Sequence, residues 1–148
     1  MQVREAVLRA DYYLPSRAEF LQTWGVSDAE EGLRKLAKEA TTLCVILKDG
    51  AQGAHYVDKG KLITVPAQRV NSANNASGAG DSFNAGFLSG LLSGEDLRGA
   101  VEGGCRAGRK VYTGLSVAGF STSVLMAVTS AARMRSTSSN SIPLPRCS

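Results

Sequence analysis

The chain has 148 residues, of which 43% are hydrophobic and 20% charged, and its formal net charge is +4. This composition is ordinary for a soluble globular domain with its own core. The positive charge is spread along the chain, without a run of Lys or Arg interleaved with aromatic residues. Nucleic-acid binding is therefore not indicated.

Three cysteines without a C-x-x-C pair predict neither a disulfide framework nor a zinc site. Cys44 lies in an apolar run and Cys105 on an apolar helix face, and we interpret both as buried thiols in a reducing compartment. The N-terminus carries charges at once, unlike a signal peptide, and no apolar run approaches the roughly 18 residues of a membrane span. We therefore expect a cytoplasmic protein without membrane contact.

The first part of the chain predicts two short helices around the end of a strand. Residues 3–10 predict a helix, and the stretch 12–15 (YYLP) predicts a strand end. Ser16 begins the next helix, and Glu19 follows three residues later, which is the spacing of a capping box.

A third helix and a buried strand follow. Residues 27–30 (SDAE) repeat the capping-box spacing, and apolar residues at helical spacing continue behind them. The run 41–47 (TTLCVIL) is nearly continuously apolar and β-rich, which is typical of a buried parallel strand. After a loop at 48–53, the stretches 54–57 and 62–66 flank the turn sequence DKGK and predict a β-hairpin.

Two helices dominate the second half. Residues 80–92 place phenylalanines and leucines on one face, a Ser-Gly pair breaks the helix, and another begins near Glu95. Beyond residue 119 the pattern weakens, and residues 121–148 are predicted to form a divergent, disordered, serine-rich tail. The alternation of helices and strands predicts a layered α/β fold.

The stretch 74–87 (NNASGAGDSFNAGF) places small residues and an aspartate at the start of a helix. Gly78, Ala79 and Gly80 carry no bulky side chains, so a phosphate can reach the unpaired N–H groups of the helix N-terminus. Asp81 would lie beside that anion, where its carboxylate can accept a proton from an attacking hydroxyl. A phosphate site next to a base is the minimal requirement for phosphoryl transfer to an alcohol.

The alternative for this stretch is structural, with a tight turn at Gly-Ala-Gly and Asp81 as a helix cap. Other nucleotide motifs are missing, because Gly60-Lys61 precedes a leucine rather than a hydroxyl residue and Phe83 stands where G-x-G-x-x-G needs its third glycine. The nucleophile elbow of hydrolases is also missing. His55, the only histidine, is interpreted as a surface or packing residue.

The stretch 75–88 resembles the second signature of the PfkB, or ribokinase-like, carbohydrate kinases, which usually reads D-T-x-G-A-G-D-x-F-x-x-G. Residues 14–19 (LPSRAE) are similar to the family's L-P-N-x-x-E segment, and residues 46–54 (ILKDGAQGA) to its K-x-G-x-x-G loop. The resemblance covers residues 3–112. It implies the C-terminal half of a three-layer αβα, Rossmann-like fold.

The same resemblance implies ATP-dependent phosphorylation of a hydroxyl group on a sugar, a sugar acid or a nucleoside. It makes Asp81 the catalytic base and Gly78, Ala79 and Gly80 the anion hole for the transferring phosphoryl group. It also implies residues that contact ATP and one that supports Mg²⁺: Lys48, Gly50, Gly53, Ser16 and Cys105 for the nucleotide, and Glu19 for the metal.

Departures from the family pattern bear on several of these roles. Ser16 replaces the usual asparagine, and with Glu19 it can form a capping box that involves no ligand. Asn75 replaces an acid that in many members helps to form a monovalent-cation site, which leaves such a cation doubtful. Lys48 is alternatively a solvated strand-end residue, and Cys105 a core thiol.

Family members are longer than this chain, and the resemblance covers their nucleotide half. We expect residues 1–120 to form a partial kinase domain that holds the catalytic base but lacks most of the sugar pocket. Such a half would expose a sheet edge and be prone to self-association. Two further hypotheses stay open, namely a non-catalytic remnant that acts as an interaction module and a nucleoside kinase of the same superfamily.

Overall fold

A computed structural model of the chain describes residues 2–67, 78–112 and 144–147. Helices and short strands alternate along the first range, and two long helices fill the second. In chain order the elements are α1 (Gln2–Leu8), β1 (Tyr12–Tyr13), α2 (Arg17–Trp24), α3 (Ala29–Glu39), β2 (Cys44–Val45), β3 (Leu47–Lys48), a 3-10 turn (Gly50–Gln52), β4 (Ala54–Asp58), β5 (Lys61–Val65), α4 (Ala79–Leu92) and α5 (Leu97–Tyr112).

The capping box predicted at the start of α2 is confirmed. Ser16 Oγ accepts from the backbone N–H of Glu19 at 3.2 Å, and Glu19 Oε2 accepts from the backbone N–H of Ser16 at 2.7 Å. These reciprocal bonds satisfy two donors that would otherwise lack partners at the helix N-terminus. The helix ends at Gly25, whose φ of 63° is the left-handed conformation that glycine adopts without strain.

The start of α3 differs from the prediction by one residue. The N-cap is Asp28 rather than Ser27, and Asp28 Oδ1 accepts from the backbone N–H groups of Glu30 at 2.8 Å and Glu31 at 3.1 Å. A carboxylate at the N-cap meets two donors and the positive end of the helix dipole, which a hydroxyl one residue earlier does not.

The segment 44–48 lies at the centre of the strand layer. On one side it runs parallel to β1, with Tyr12 opposite Cys44 and an isolated bridge between Ser16 and Lys48. On the other side its second part, β3, pairs antiparallel with β4. The parallel strand predicted at 41–47 is therefore present, although its ladder begins at Cys44 and is divided between two short strands.

The predicted hairpin is also confirmed. Strands β4 and β5 pair antiparallel from Asp58 opposite Lys61 to Ala54 opposite Val65. The two turn residues between them, Lys59 and Gly60, both have positive φ, at 50° and 75°. A two-residue turn with this backbone matches the twist of the strands it joins.

Apolar residues on the two faces of the strand layer form separate cores. One face packs against α4 and α5, and the other packs against α1, α2 and α3. Successive residues of the central segment alternate between the two cores because strand side chains alternate in direction. The first core includes Cys44, Ile46, Tyr56, Phe83, Phe87 and Val101, and the second includes Val45, Leu47, Phe20, Leu33 and Leu36. This arrangement confirms the expected α/β fold with helices on both sides of the sheet.

Close contact between α4 and α5 fixes the position of α4. A Cβ atom built on Gly86 would lie 2.6 Å from the Cβ of Ala107, and one on Gly90 would lie 2.8 Å from the Cα of Ala100. Real Cβ atoms do not approach that closely, so the absence of side chains lets the helices pack backbone against backbone. The N-terminus of α4 is therefore held by a rigid pair of helices.

Residues 144–147 correct one expectation about the cysteines. Leu144 and Cys147 pack on the core beneath α4 and α5, Tyr12 Oη donates to the backbone oxygen of Pro145, and a disulfide joins Cys44 to Cys147. Cys44 is buried as expected but is not a free thiol, and a pairing across 103 residues leaves no local spacing signal in the sequence. The predicted domain boundary at residue 120 lies outside the described residues.

No described helix is both long enough and apolar enough to cross a membrane. The described strands form a two-stranded sheet, β1-β2, and a three-stranded sheet, β3-β4-β5, and the isolated bridge between Ser16 and Lys48 joins the two. The predicted self-association through a sheet edge stays a prediction.

Candidate active site

The first turn of α4 carries the sequence GAGD. Gly78 is the N-cap, with φ 90° and ψ −4°, and no side chain caps the helix there. The first intrahelical bond runs from Ser82 N to Gly78 O at 3.0 Å, so helix geometry leaves the N–H groups of Ala79, Gly80 and Asp81 without an intrahelical acceptor. Gly78 and Gly80 are exposed, and a Cβ on Gly78 would meet nothing within 4 Å. These donors are accessible to an anion.

Lys48 approaches this helix turn from the end of β3. Its Nζ donates to Asn84 Oδ1 at 3.1 Å and lies 3.5 Å from the position a Cβ on Gly80 would occupy. Burial lowers the pKa of the Lys48 ammonium, and the carboxylates of Glu19 and Asp81 oppose that shift. Lys48 is thus a partly desolvated cation whose charge the carboxylates of Glu19 and Asp81 favour, rather than a solvated strand-end residue.

Ser16 and Glu19 belong to the same corner of the molecule. The bridge between Ser16 and Lys48 sets the start of α2 beside the end of β3, and Lys48 N donates to Pro15 O at 2.8 Å. The capping box holds one oxygen of the Glu19 carboxylate. The fold therefore gathers five predicted site residues from three separate segments: Ser16, Glu19, Lys48, Gly80 and Asp81.

The two loop glycines after Lys48 differ in their surroundings. Gly53 has φ 93°, and a Cβ there would overlap the backbone oxygen of Val65 and come within 2.7 Å of Ala67 N. Packing on the end of β5 is therefore sufficient to explain this glycine. Gly50 has φ 53° and open space around its missing Cβ. Contact of either glycine with a nucleotide stays a prediction.

Asp49 lies at the centre of a polar network that we did not predict from the sequence. Its Oδ2 accepts from Arg17 Nη1 at 2.8 Å and is 2.9 Å from His55 Nε2, while His55 Nδ1 is 2.9 Å from Thr64 Oγ1. His55 is buried at 8% exposure, which agrees with a packing role and not with a surface one. The observed pairing of β4 with β5 places His55 opposite Thr64, but no local pattern connects Asp49 or Arg17 to them.

Cys105 lies on α5 and is partly buried against the core beneath α4 and α5. Burial raises the pKa of its thiol, Glu102 adds to that rise, and Arg106 opposes it. A protonated thiol on a core face agrees with the alternative of a core residue. Its proximity to adenine stays a prediction, and Asn75 lies outside the described residues.

No group of three or more His, Cys, Asp or Glu side chains in the described ranges could hold a metal ion on its own. A metal at this corner would need oxygen ligands from a bound phosphate and from water in addition to Glu19. The metal role of Glu19 stays a prediction.

A model of the pfkB family of carbohydrate kinases matches residues 1–132 of the chain. The chain belongs to this family. The match includes the end of β3, the loop after it and the whole of α4, so the corner described above lies within the matched range.

Among relatives, a cytidine kinase from Thermococcus kodakarensis is 31% identical over 111 residues, which make up 74% of this chain and 39% of that protein. A nucleoside kinase from Methanocaldococcus jannaschii is 38% identical over 53 residues, or 36% of this chain and 18% of that protein. The crystal structure of fructokinase from Vibrio cholerae O395, with fructose, ADP and calcium bound, matches with a TM-score of 0.67 and 26% identity over 86% of this chain and 42% of that one.

The chain spans less than half the length of each of these three proteins. Their names include both nucleoside and sugar kinases. Membership of the family therefore leaves the acceptor open.

Proposed function

We propose that the corner formed by α4, β3 and α2 transfers the γ-phosphoryl group of ATP to a hydroxyl group of a sugar, a sugar acid or a nucleoside. The observation that carries this proposal is the meeting of an accessible helix N-terminus, a carboxylate and a lysine ammonium at one place. Together these groups would meet two needs of phosphoryl transfer, namely stabilisation of negative charge and removal of a proton, and the fold would hold them in position.

The first need is stabilisation of negative charge. The N–H groups of Ala79, Gly80 and Asp81 and the positive end of the α4 dipole would bind the equatorial oxygens of the transferring group. Lys48 Nζ, 3.5 Å from the Cβ position of Gly80, would add a full positive charge on the same side. These groups are fixed before substrate binds, so little reorganisation would be needed during transfer.

The second need is a base for the acceptor hydroxyl. As the acceptor oxygen forms its bond to the γ-phosphorus, its proton would pass to the Asp81 carboxylate, and the bond from phosphorus to the bridging oxygen of ADP would break. Asp81 is in the first turn of α4, so the base is carried by the same rigid helix that would hold the phosphoryl group. Proton acceptor and anion site would thus keep a fixed separation.

Kinases of this family use ATP, with Mg²⁺ as a general feature. The donor set suits that ion, because Mg²⁺ is usually held by one or two carboxylates together with phosphate oxygens and water. Glu19 is the carboxylate that would face it, and one of its oxygens is already oriented by the Ser16 N–H. When bound, Mg²⁺ would neutralise charge on the phosphates. Ser16, Gly50, Gly53 and Cys105 are the remaining residues proposed to contact the nucleotide.

The acceptor is proposed only as a class. The fructokinase structure contains fructose, whereas two of the relatives are a cytidine kinase and a nucleoside kinase. These similarities support the sugar and the nucleoside alternatives equally. A panel that includes fructose, ribose, a sugar acid and cytidine, assayed for ADP release, would distinguish them.

Titration calorimetry of the folded 148-residue chain with Mg-ATP tests the nucleotide site, and Asp81→Asn tests the base. We expect saturable Mg-ATP binding by both proteins and, in a kinase completed with its acceptor-binding half, a fall in transfer of about 10²- to 10⁴-fold in the variant, the usual contribution of a general base. Glu31→Gln is the matched control, because Glu31 is an exposed carboxylate in the first turn of α3 and should not affect transfer.

Gly80→Val tests the anion hole, because its branched side chain would block access to the helix N-terminus. Gly80→Ala is the milder partner, since its Cβ would meet Lys48 Nζ only at the ordinary distance of 3.5 Å. Unchanged phosphate affinity in Gly80→Val would contradict the anion hole. A folded wild-type chain that binds no Mg-ATP would contradict the kinase function and favour the interaction-module hypothesis.

A further inference from the structure

Asn84 is the partner that fixes the direction of the Lys48 side chain. It lies four residues after Gly80 on α4, so the two residues share one flank of the helix, one turn apart. The Lys48 ammonium fits over that flank, donating to Asn84 Oδ1 at 3.1 Å beside the bare backbone of Gly80. An ammonium can only donate, so the amide oxygen must be the atom that faces it.

The neutrality of this partner has a chemical consequence. An amide oxygen accepts a hydrogen bond without cancelling the charge of the ammonium, whereas a carboxylate there would form an ion pair with it. Lys48 has three N–H donors, and the bond to Asn84 uses one of them. The bond to Asn84 thus orients the cation without adding a third carboxylate beside Glu19 and Asp81.

We propose that Asn84 is a positioning residue, whose amide oxygen directs the Lys48 ammonium toward the phosphoryl group that the N-terminus of α4 would receive. The inference rests on the function proposed above and adds a residue to which the family resemblance assigns no role. In this role Asn84 would act through Lys48 rather than through contact with the nucleotide or the acceptor.

A double-mutant cycle separates this role from a general effect on α4. The four proteins are the wild-type chain, Asn84→Ala, Lys48→Met and the double variant, each titrated with Mg-ATP and with inorganic tripolyphosphate by calorimetry. Alanine keeps the helix propensity of α4, and methionine keeps the length of the lysine stem without its charge. The melting temperature of each protein is measured in parallel, and Glu102→Gln, which breaks an exposed ion pair on α5, is the control.

We expect Asn84→Ala to weaken binding of both probes about 10-fold in the wild-type background, the usual effect of losing a hydrogen bond to a charged group. In the Lys48→Met background the same change should have less than about a 2-fold effect, because the cation it positions is gone. Asn84→Asp is the second variant, and it should also weaken binding because its carboxylate neutralises the ammonium.

Equal losses from Asn84→Ala in both backgrounds would overturn the positioning role and leave the kinase function standing. Unchanged or tighter binding in Asn84→Asp would overturn it as well. A folded wild-type chain that binds neither probe would overturn the proposed function and this inference with it.

Discussion

Lys48 and Asp49 are neighbours in the chain and have opposite charges. Their side chains extend to opposite sides of the strand layer and have different hydrogen-bond partners there. Lys48 reaches α4, where a neutral amide holds it near an accessible helix N-terminus. Asp49 reaches α2 and β4, where one of its oxygens meets both Arg17 and His55. Asp49 is hydrogen-bonded to charged or titratable protein groups, whereas the Lys48 ammonium donates to a neutral amide, which leaves its other N–H donors for a ligand.

The loop after these residues gives the largest expected effect. Gly53→Ala combines a positive φ of 93° with overlap against the end of β5, and we expect it to lower the free energy of unfolding by about 3 kcal/mol or more. Gly50→Ala is the matched control, because its φ of 53° is strained but its surroundings are open, and about 1 kcal/mol is expected. Urea denaturation measures both, and equal losses would contradict the packing explanation for Gly53.

The hydrogen bonds of Asp49 should contribute to the stability of the fold. Asp49→Ala leaves His55 without its carboxylate inside the hairpin, and we expect a loss of about 2 kcal/mol in the free energy of unfolding, typical of hydrogen bonds to charged groups. Glu102→Gln, at an exposed pair on α5, should cost at most about 0.5 kcal/mol. If both substitutions cost the same, the Asp49 network is no more than a surface ion pair.

Lys48→Met should weaken ligand binding without lowering the stability of the fold. We expect Mg-ATP affinity to fall about 10 to 100-fold, as for a lost charge-assisted contact, while the melting temperature stays the same or rises because a partly buried ammonium is removed. Calorimetry and thermal denaturation of the same samples measure the two quantities. A variant that binds normally but melts lower would show that Lys48 belongs with Asp49 as a structural charge.

The sequence predicted what depends on short spacing. The capping box of Ser16 and Glu19 and the hairpin around residues 58–61 are set by residues within a few positions of one another, and both are confirmed, although Asp58 and Lys61 pair in the ladder and leave a turn of two residues. The fold was also predictable, because the motif after residue 74 is long and specific enough to indicate the family. Hydrophobic periodicity alone would have predicted only a layered α/β fold.

The contacts that define the candidate site were not predictable in the same way. Lys48 meets Asn84 across 36 residues, and Asp49 meets Arg17 across 32, so each pair depends on how α4 or α2 packs on the strands. The disulfide between Cys44 and Cys147 was missed for the same reason. Resemblance identified Lys48 as a candidate, but only the packed structure supplies the partner that orients it.

The smallest expected effect is a pH dependence that tests the burial of Lys48 directly. Because burial lowers the pKa of Lys48 in the folded chain, the unfolded chain binds that proton more tightly. Below the folded pKa the ammonium is charged in both states, and its burial lowers the free energy of unfolding. This cost disappears as the pH rises from the folded pKa to the pKa of lysine in the unfolded chain, about 10.4. The free energy of unfolding of the wild-type chain should rise with pH relative to Lys48→Met across this window.

Subtracting the free energy of unfolding of Lys48→Met from that of the wild-type chain cancels the contributions of the other groups that titrate at alkaline pH. Burial raises the pKa of Tyr13, Tyr56 and Cys105, so each of them lowers stability as pH rises, equally in both proteins because none of them is coupled to Lys48. Denaturant unfolding at several pH values gives the difference. If the difference in the free energy of unfolding between the two proteins does not change with pH, the Lys48 ammonium is as well solvated in the folded chain as in the unfolded chain. The contrast between Lys48 and Asp49 would then rest on their hydrogen-bond partners alone.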